Sequence, residues 1–216
     1  MILLNDPRVR EVPVSDCGER MVSVDGLDER IAVDWSRSEI ASNSDRFCYA
    51  RESVSDMLRR AVACLPKNID FLVKEIYRPY SRQLCSFEEG LEFYRESNPE
   101  LNEEALRELA CQYVAPPEVA GHPTGGAVDI VLIQDGKELD MGTKFNDEPV
   151  APENLTYTDC PFIAPEQRVN RQMLSQAMES VGFVNYPAEW WHFSYGDPYW
   201  GLVIGNAACY APVGGE

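Results

Sequence analysis

The apolar positions along the chain change their spacing twice, and each change marks an element. From about Arg46, the residues Val54, Met57, Leu58, Ala61, Val62 and Leu65 recur at three- and four-residue steps. That period predicts an amphipathic helix, ended by Pro66. "FLVKEIY" (71–77) is rich in β-formers and predicts a strand running into Arg78-Pro79. Two further helices are predicted at about 81–97 and 102–114. The second has Asn102 as its N-cap and Glu103 and Glu104 at the positive end of its dipole. The pattern then turns to strands: "AVDIVLI" (127–133), with "QDGK" as an Asp-Gly hairpin turn into "ELDMG". "PEQRVNRQMLSQAMESVGF" predicts one more helix, with Val169, Leu174, Ala177, Met178 and Val181 on one side and Gly182 as its cap. "EWWHFSY" and "GLVIGNAACY" read as the last two strands.

Helices first and hairpin-linked strands afterwards predict an α+β fold, a central antiparallel sheet with helices packed against it. No repeat, low-complexity tract or linker divides the chain, so one domain is expected over 1–216. Its first 45 residues read as an irregular segment of short extended pieces and turns, and 46–216 as the core. At 216 residues the chain can bury one good core but not two comfortable ones.

Charge narrows the choice of partners. With 36 acidic and 19 basic residues the net charge is −17, which repels phosphate backbones and anionic lipid heads. Neither a nucleic-acid nor a membrane partner is expected. No apolar run approaches the ~20 residues of a membrane span, and "MILLNDPRVREV" has no signal-peptide core. Seven dispersed cysteines, without a Cys-x-x-Cys pair, read as reduced and packed. A cytoplasmic protein is expected.

The chain holds only two histidines, in "GHPTGGAVDIVL" and "PAEWWHFSYG". His122 precedes a Thr-Gly-Gly turn, and Asp129 lies three positions into the apolar stretch that follows. Flanked by Val128 and Ile130, Asp129 is poorly solvated and needs a partner, for which a divalent metal is one good answer. A lone histidine would read as structural; the His-x-x-Gly-x-Ala-x-Asp spacing beside a strand favours a ligand. His192 supplies a third ligand, and two imidazoles with one carboxylate suit a catalytic zinc with an open fourth position. Glu189, three residues earlier, would face away on a regular strand, so a bend is expected there that turns it to a metal-bound water. By itself Glu189 reads as a surface glutamate. Arg78 reads equally as an exposed arginine before a turn and as a guanidinium stabilising a developing oxyanion.

"HPTGGAVD" followed by "EWWH" resembles the zinc D-alanyl-D-alanine dipeptidases of the vancomycin-resistance type and their wider group of zinc D,D- and L,D-peptidases. That group carries Ser-x-His-x-x-Gly-x-Ala-x-Asp and a later Glu-x-x-His. The Tyr-Arg-Pro at 77–79, "LDMGTKF" at 139–145 and "NRQMLSQAMESVGF" at 170–183 extend the resemblance over about 70–195. It implies His122, Asp129 and His192 as ligands of one Zn2+ per chain, Glu189 as general base and Arg78 as the transition-state arginine. It also implies Asp140 as the group that receives the ammonium of a small dipeptide substrate. Two departures stand out. Ala120 occupies the place of the family's serine, and the first 45 residues show no match. The expected activity is hydrolysis of D-alanyl-D-alanine or a similar dipeptide. The alternatives are a cell-wall carboxypeptidase or L,D-endopeptidase of the same group, and a non-catalytic zinc module.

Overall fold

Asp129 sits in the middle strand of a sheet whose other strands are arranged around it. The computed structural model describes residues 1–38, 40–111, 114–148, 150 and 152–214. A short helix α1 (Pro7–Glu11) is followed by the strands β1 (Met21–Ser23), β2 (Ile31–Val33) and β3 (Tyr49–Arg51). Helix α2 (Glu52–Ala63), strand β4 (Asp70–Glu75), and helices α3 (Tyr80–Ser97) and α4 (Glu103–Ala110) come next. After a 3-10 turn at His122–Thr124 the chain forms β5 (Ala127–Gln134), β6 (Lys137–Glu138), α5 (Pro165–Glu179), β7 (Val184–Asn185), β8 (His192–Ser194) and α6 (Pro198–Ile204).

The architecture is α+β. The main sheet has the order β2-β4-β5-β8-β7, with β6 also paired to β5, while β1 and β3 form a separate antiparallel pair. The sheet is antiparallel except at one edge, where β2 runs parallel to β4. The chain between those two strands (β3 and α2) supplies the crossover a parallel pair needs. Helices α2 and α5 cover the sheet with Val54, Leu58, Ala61, Leu174 and Met178, packed with Phe71, Val73, Val128, Ile130 and Phe193. Side chains alternate along a strand, so Asp129 points away from Val128 and Ile130, and His192 away from Phe193. Among the described residues, no helix is long and apolar enough to cross a membrane.

Several expectations change. Helix α2 starts at Glu52 rather than Arg46, because Tyr49–Arg51 pairs with Met21–Ser23 as a strand. Asn102 caps α4 as expected, accepting from Ala105 N at 2.9 Å, but the helix ends at Ala110; positions 112 and 113 of the expected range lie outside the described residues. "GLVIGNAACY" is not a strand. Asp197 accepts from Trp200 N at 2.8 Å, Pro198 opens the helix and Gly205, left-handed at φ 75°, closes it. Val169 is exposed, and Arg171 takes the buried place on α5.

That arginine has no carboxylate partner among the described residues. Instead Nε donates to Met141 O at 2.7 Å, Nη1 to Tyr157 O at 2.6 Å and Nη2 to Leu155 O at 2.8 Å. Its guanidinium also lies 5.7 Å from the Trp190 ring centroid. One side chain thus ties the loop between β6 and α5 to the turn that precedes His192. Arg171→Leu leaves those carbonyls unpaired, at about 1–3 kcal/mol for each one that stays dry. The expected loss, measured by urea unfolding, is about 3 kcal/mol or more; a loss below about 1 kcal/mol would mean that water replaces the guanidinium without cost.

Candidate active site

Three adjacent strands deliver one side chain each to the same face. In the sheet register Glu75 of β4 lies opposite Asp129 of β5, and Asp129 opposite His192 of β8. His122 arrives from the 3-10 turn, which closes when Gly125 N donates to His122 O at 3.1 Å. Gly125 is left-handed at φ 73°, and a Cβ there would come within 2.4 Å of Met21 Cε. The left-handed backbone is what favours glycine in this turn, since the flexible end of Met21 could move aside.

His122 Nδ1 bonds the Ile76 carbonyl at 2.8 Å, which directs Nε2 inward to Asp129 Oδ2 at 3.4 Å. His192 Nδ1 lies 2.9 Å from Asp129 Oδ1. The two imidazole centroids are 5.0 Å apart, and one ligand atom from each of the three buried residues lies within 4.8 Å of the others. Such a cluster of two nitrogens and a carboxylate oxygen can hold a divalent metal.

Glu189 Oε2 is 3.8 Å from His192 Nδ1. The expected bend is there: Glu189 N donates to Tyr186 O at 3.0 Å, Trp190 N to Thr156 O at 3.1 Å, and His192 N to Glu189 O at 3.2 Å. Burial pushes the Glu189 carboxyl up to about 7, helped by the negative Asp129 and opposed by His192, His122 and Arg78. For Asp129, burial acts upward too, but the two imidazoles outweigh it and hold the carboxyl below its ordinary range. Burial lowers His192, yet its bond to Asp129 prevails and the ring is held above its usual value. One site thus contains a carboxylate kept ionised and a second poised near neutrality.

Arg78 lines the same cavity. Its Nη2 donates to Glu75 Oε2 at 2.6 Å, its Nε to Oε1 at 3.1 Å, and its Nη1 to Gln83 Oε1 at 2.9 Å. Ser42 N, at 2.9 Å, completes the shell of the buried Glu75. Arg78 is therefore a fixed, largely buried guanidinium and not an exposed one. Glu75 was missed in the sequence, where only its place three residues before Arg78 hinted at it. Asp140 is not brought to the site. It is exposed, with Oδ1 accepting from Gly142 N and Oδ2 from Gln167 Nε2, both at 2.9 Å, so it fastens the loop to α5 instead.

The cavity measures about 180 Å³, and Leu4, Ala41, Asn146, Tyr186, Trp191 and Ser194 are among the other residues of its wall. Leu4 and Ala41 belong to the N-terminal segment, where no motif announced a part in the site. That volume is below the roughly 300 Å³ at which sites for drug-sized ligands begin. Buried residues that could hold a metal, a carboxyl raised towards neutrality and a fixed cation around a small cavity are the components that metal-assisted hydrolysis needs.

Residues 36–206 match the Peptidase_M15 family model, described as D-ala-D-ala dipeptidase, and the chain belongs to that family. By that membership it is an enzyme, a metallopeptidase. It is 26% identical over 215 residues to a D-alanyl-D-alanine dipeptidase of Synechocystis sp., covering 88% of this chain and 87% of that one. A D-alanyl-D-alanine dipeptidase of Enterococcus faecalis is 27% identical over 92 residues, covering 39% of this chain and 44% of the relative. The solved structure of VanYB in complex with D-alanine-D-alanine aligns with a TM-score of 0.45 and 18% identity, over 74% of this chain and 80% of that one.

The raised carboxyl of Glu189 and the raised imidazole of His192 have the same consequence for stability. Both bind protons more tightly folded than unfolded, so stability falls with rising pH. Their contribution is complete below the unfolded values of 4.5 and 6.5 and is lost as pH passes through the folded ones, about 7 for Glu189. Asp129, held low, changes only in strong acid. Protein stripped of divalent ions is expected to melt at progressively lower temperature from pH 5 to 8, and Glu189→Gln should flatten the lower part of that range. A melting temperature that climbs with pH would contradict this charge arrangement.

Proposed function

We propose that the chain is a zinc-dependent dipeptidase that hydrolyses D-alanyl-D-alanine or a similarly small dipeptide. The observation that carries this reading is the convergence of His122, Asp129, His192, Glu189 and Arg78 on one small cavity. The donor set fits zinc: His122 Nε2, His192 Nδ1 and a carboxylate oxygen of Asp129 would hold one ion per chain and leave a fourth position open. Zinc held there supplies Lewis acidity, lowering the pKa of water towards about 7 and polarising the scissile carbonyl.

The chain's own groups do the rest. Glu189, with its carboxyl near neutrality, takes a proton from the attacking water and returns it to the leaving amine. Arg78 is already oriented by Glu75 and Gln83, and its remaining N–H groups, without a partner among the described residues, can meet the carbonyl oxygen as negative charge grows on it. Because the guanidinium is fixed beforehand, little reorganisation is needed during the reaction.

Substrate size follows from the wall. Leu4 and Ala41 close a space of about 180 Å³, which suits a free dipeptide better than a cell-wall peptide lying in an open groove. The names of the two relatives point to the same substrate. A cytoplasmic setting is supported by seven unpaired cysteines, and the charge of −17 argues against nucleic-acid or membrane partners.

Zinc-loaded protein assayed against free and N-acetylated dipeptides of both chiralities tests the reading. Release of D-alanine from D-alanyl-D-alanine, but not from its N-acetyl form, is expected. Cleavage of the blocked peptide at a similar rate would select the carboxypeptidase alternative. Chelation should abolish activity and added zinc restore it. Glu189→Gln is expected to lower kcat at least about 100-fold with zinc stoichiometry unchanged; undiminished turnover in that variant would sink the mechanism, and a wild type inert on every peptide would leave a non-catalytic zinc module.

A further inference from the structure

Each backbone carbonyl from Gly121 to Gly125, the turn that presents His122, accepts a hydrogen bond. Two are satisfied locally: Gly121 O accepts from Thr124 N at 2.9 Å and from Thr124 Oγ1 at 2.6 Å, and His122 O from Gly125 N at 3.1 Å. The other three reach beyond the turn. Pro123 O accepts from Val213 N at 2.8 Å, Thr124 O from Arg51 Nε at 2.7 Å, and Gly125 O from Arg51 N at 3.0 Å. One arginine therefore holds two of these carbonyls, and the segment after α6 holds the third. Neither Arg51 nor Val213 lines the cavity.

Arg51 is 4% exposed, and its guanidinium is directed at carbonyls. Besides Nε on Thr124 O, Nη1 donates to Glu19 O and Nη2 to Ala211 O at 2.9 Å. The side chain thus ties the turn to two segments distant in sequence, one before β1 and one after α6. Its charge is balanced nearby: Nη2 lies 3.7 Å from Asp16 Oδ1, and the guanidinium carbon is 5.0 Å from the Tyr210 ring centroid. The Tyr210 hydroxyl in turn donates to the Glu19 carboxylate. A planar fork of donors can meet three carbonyls set apart around it, which a single ammonium cannot reach together.

We propose that Arg51 is a positioning residue for the metal cluster, which together with Val213 clamps the turn 121–125 so that His122 Nε2 meets Asp129. This rests on the reading that His122, Asp129 and His192 bind a divalent ion. The three ligands have unequal support. Asp129 and His192 are fixed opposite each other by strand pairing, whereas His122 stands on the turn, outside the sheet. The Ile76 carbonyl at Nδ1 orients the His122 ring but not the backbone that carries it. Apparent affinity is reduced by the fraction of molecules in the binding-competent conformation, so a loosened turn weakens metal binding with every ligand retained.

The test uses the full chain, free of any histidine tag, so that its two histidines alone report. Zinc affinity is measured by competition with a chromophoric chelator, and the His122 ring is followed by NMR of metal-free, histidine-labelled protein. Arg51→Lys is expected to bind zinc at least about 10-fold more weakly, as when the support behind a ligand is lost, and to split or broaden the His122 signals. Val213→Pro removes the donor to Pro123 O and is expected to weaken zinc binding roughly threefold or more. The control is Leu58→Ala, which truncates the core on α2 and leaves these hydrogen bonds in place. It should melt at a lower temperature but bind zinc within twofold of wild type. An Arg51→Lys affinity within twofold of a zinc-binding wild type overturns this inference alone, as does an equal loss in Leu58→Ala. A wild type that binds no zinc overturns the metal reading and this with it. Should Arg51→Lys fail to fold, Val213→Pro decides by the same measure.

Discussion

A carboxylate buried in the middle of a sheet is the constraint on which this structure turns. Asp129 is 5% exposed, and an ionised group so placed is tolerated only if positive or hydrogen-bonding partners surround it. The fold supplies them from three directions: His192 from the next strand, His122 from the turn before the same strand, and the cation of Arg78 further along the wall. Each partner has its own support. Ile76 holds His122, and Glu75 with Gln83 holds Arg78. A site of this kind is organised before any ligand arrives, which is the condition for strong electrostatic effects in a reaction.

The same arrangement divides labour between two carboxyls of similar intrinsic acidity. Asp129 lies between two imidazoles and stays ionised; Glu189 is buried beside a negative neighbour and titrates near neutrality. Environment alone sets the two apart. Glu189 owes its position to a turn rather than to the sheet. Thr156 holds that turn through Ala188 O at 2.8 Å, Thr143 through the Trp190 indole at 2.8 Å, and Arg171 underlies the whole loop. The buried arginine on α5 thus belongs to the chain of contacts that places Glu189.

The cavity depends on parts of the chain with no chemistry of their own. Tyr186 N donates to His192 O at 2.9 Å, and the Tyr199 hydroxyl reaches the Ile2 carbonyl at 3.3 Å, which fastens the N-terminus against the turn beside the site. Leu4 is thereby brought to the cavity wall. Different parts of the fold set the cluster and the cavity wall: the sheet and the 3-10 turn bring His122, Asp129 and His192 together, and the packing of the N-terminal segment brings Leu4 to the wall.

By itself the sequence determined what local chemistry can encode. A period of three to four residues marked α2, an apolar side marked α5, the apolar run with Asp129 marked β5, and Asn102 marked the start of α4. His-x-x-Gly-x-Ala-x-Asp and Glu-x-x-His identified the residues that meet in the cavity, because a glycine turn beside a strand and a proline-led bend are local events. Tertiary structure decided everything that depends on partners remote in sequence. Residues 49–51 became a strand because 21–23 lies beside them, and β2 joined the sheet in parallel because β4 offered a free edge. Asp140 has the composition of an ammonium receptor but is held outside by Gln167. Glu75 gains importance only from what it touches, Arg78 and the Ser42 amide. Spacing along a chain can show that two histidines and an aspartate are able to share an ion; only packing determines which neighbours hold them still.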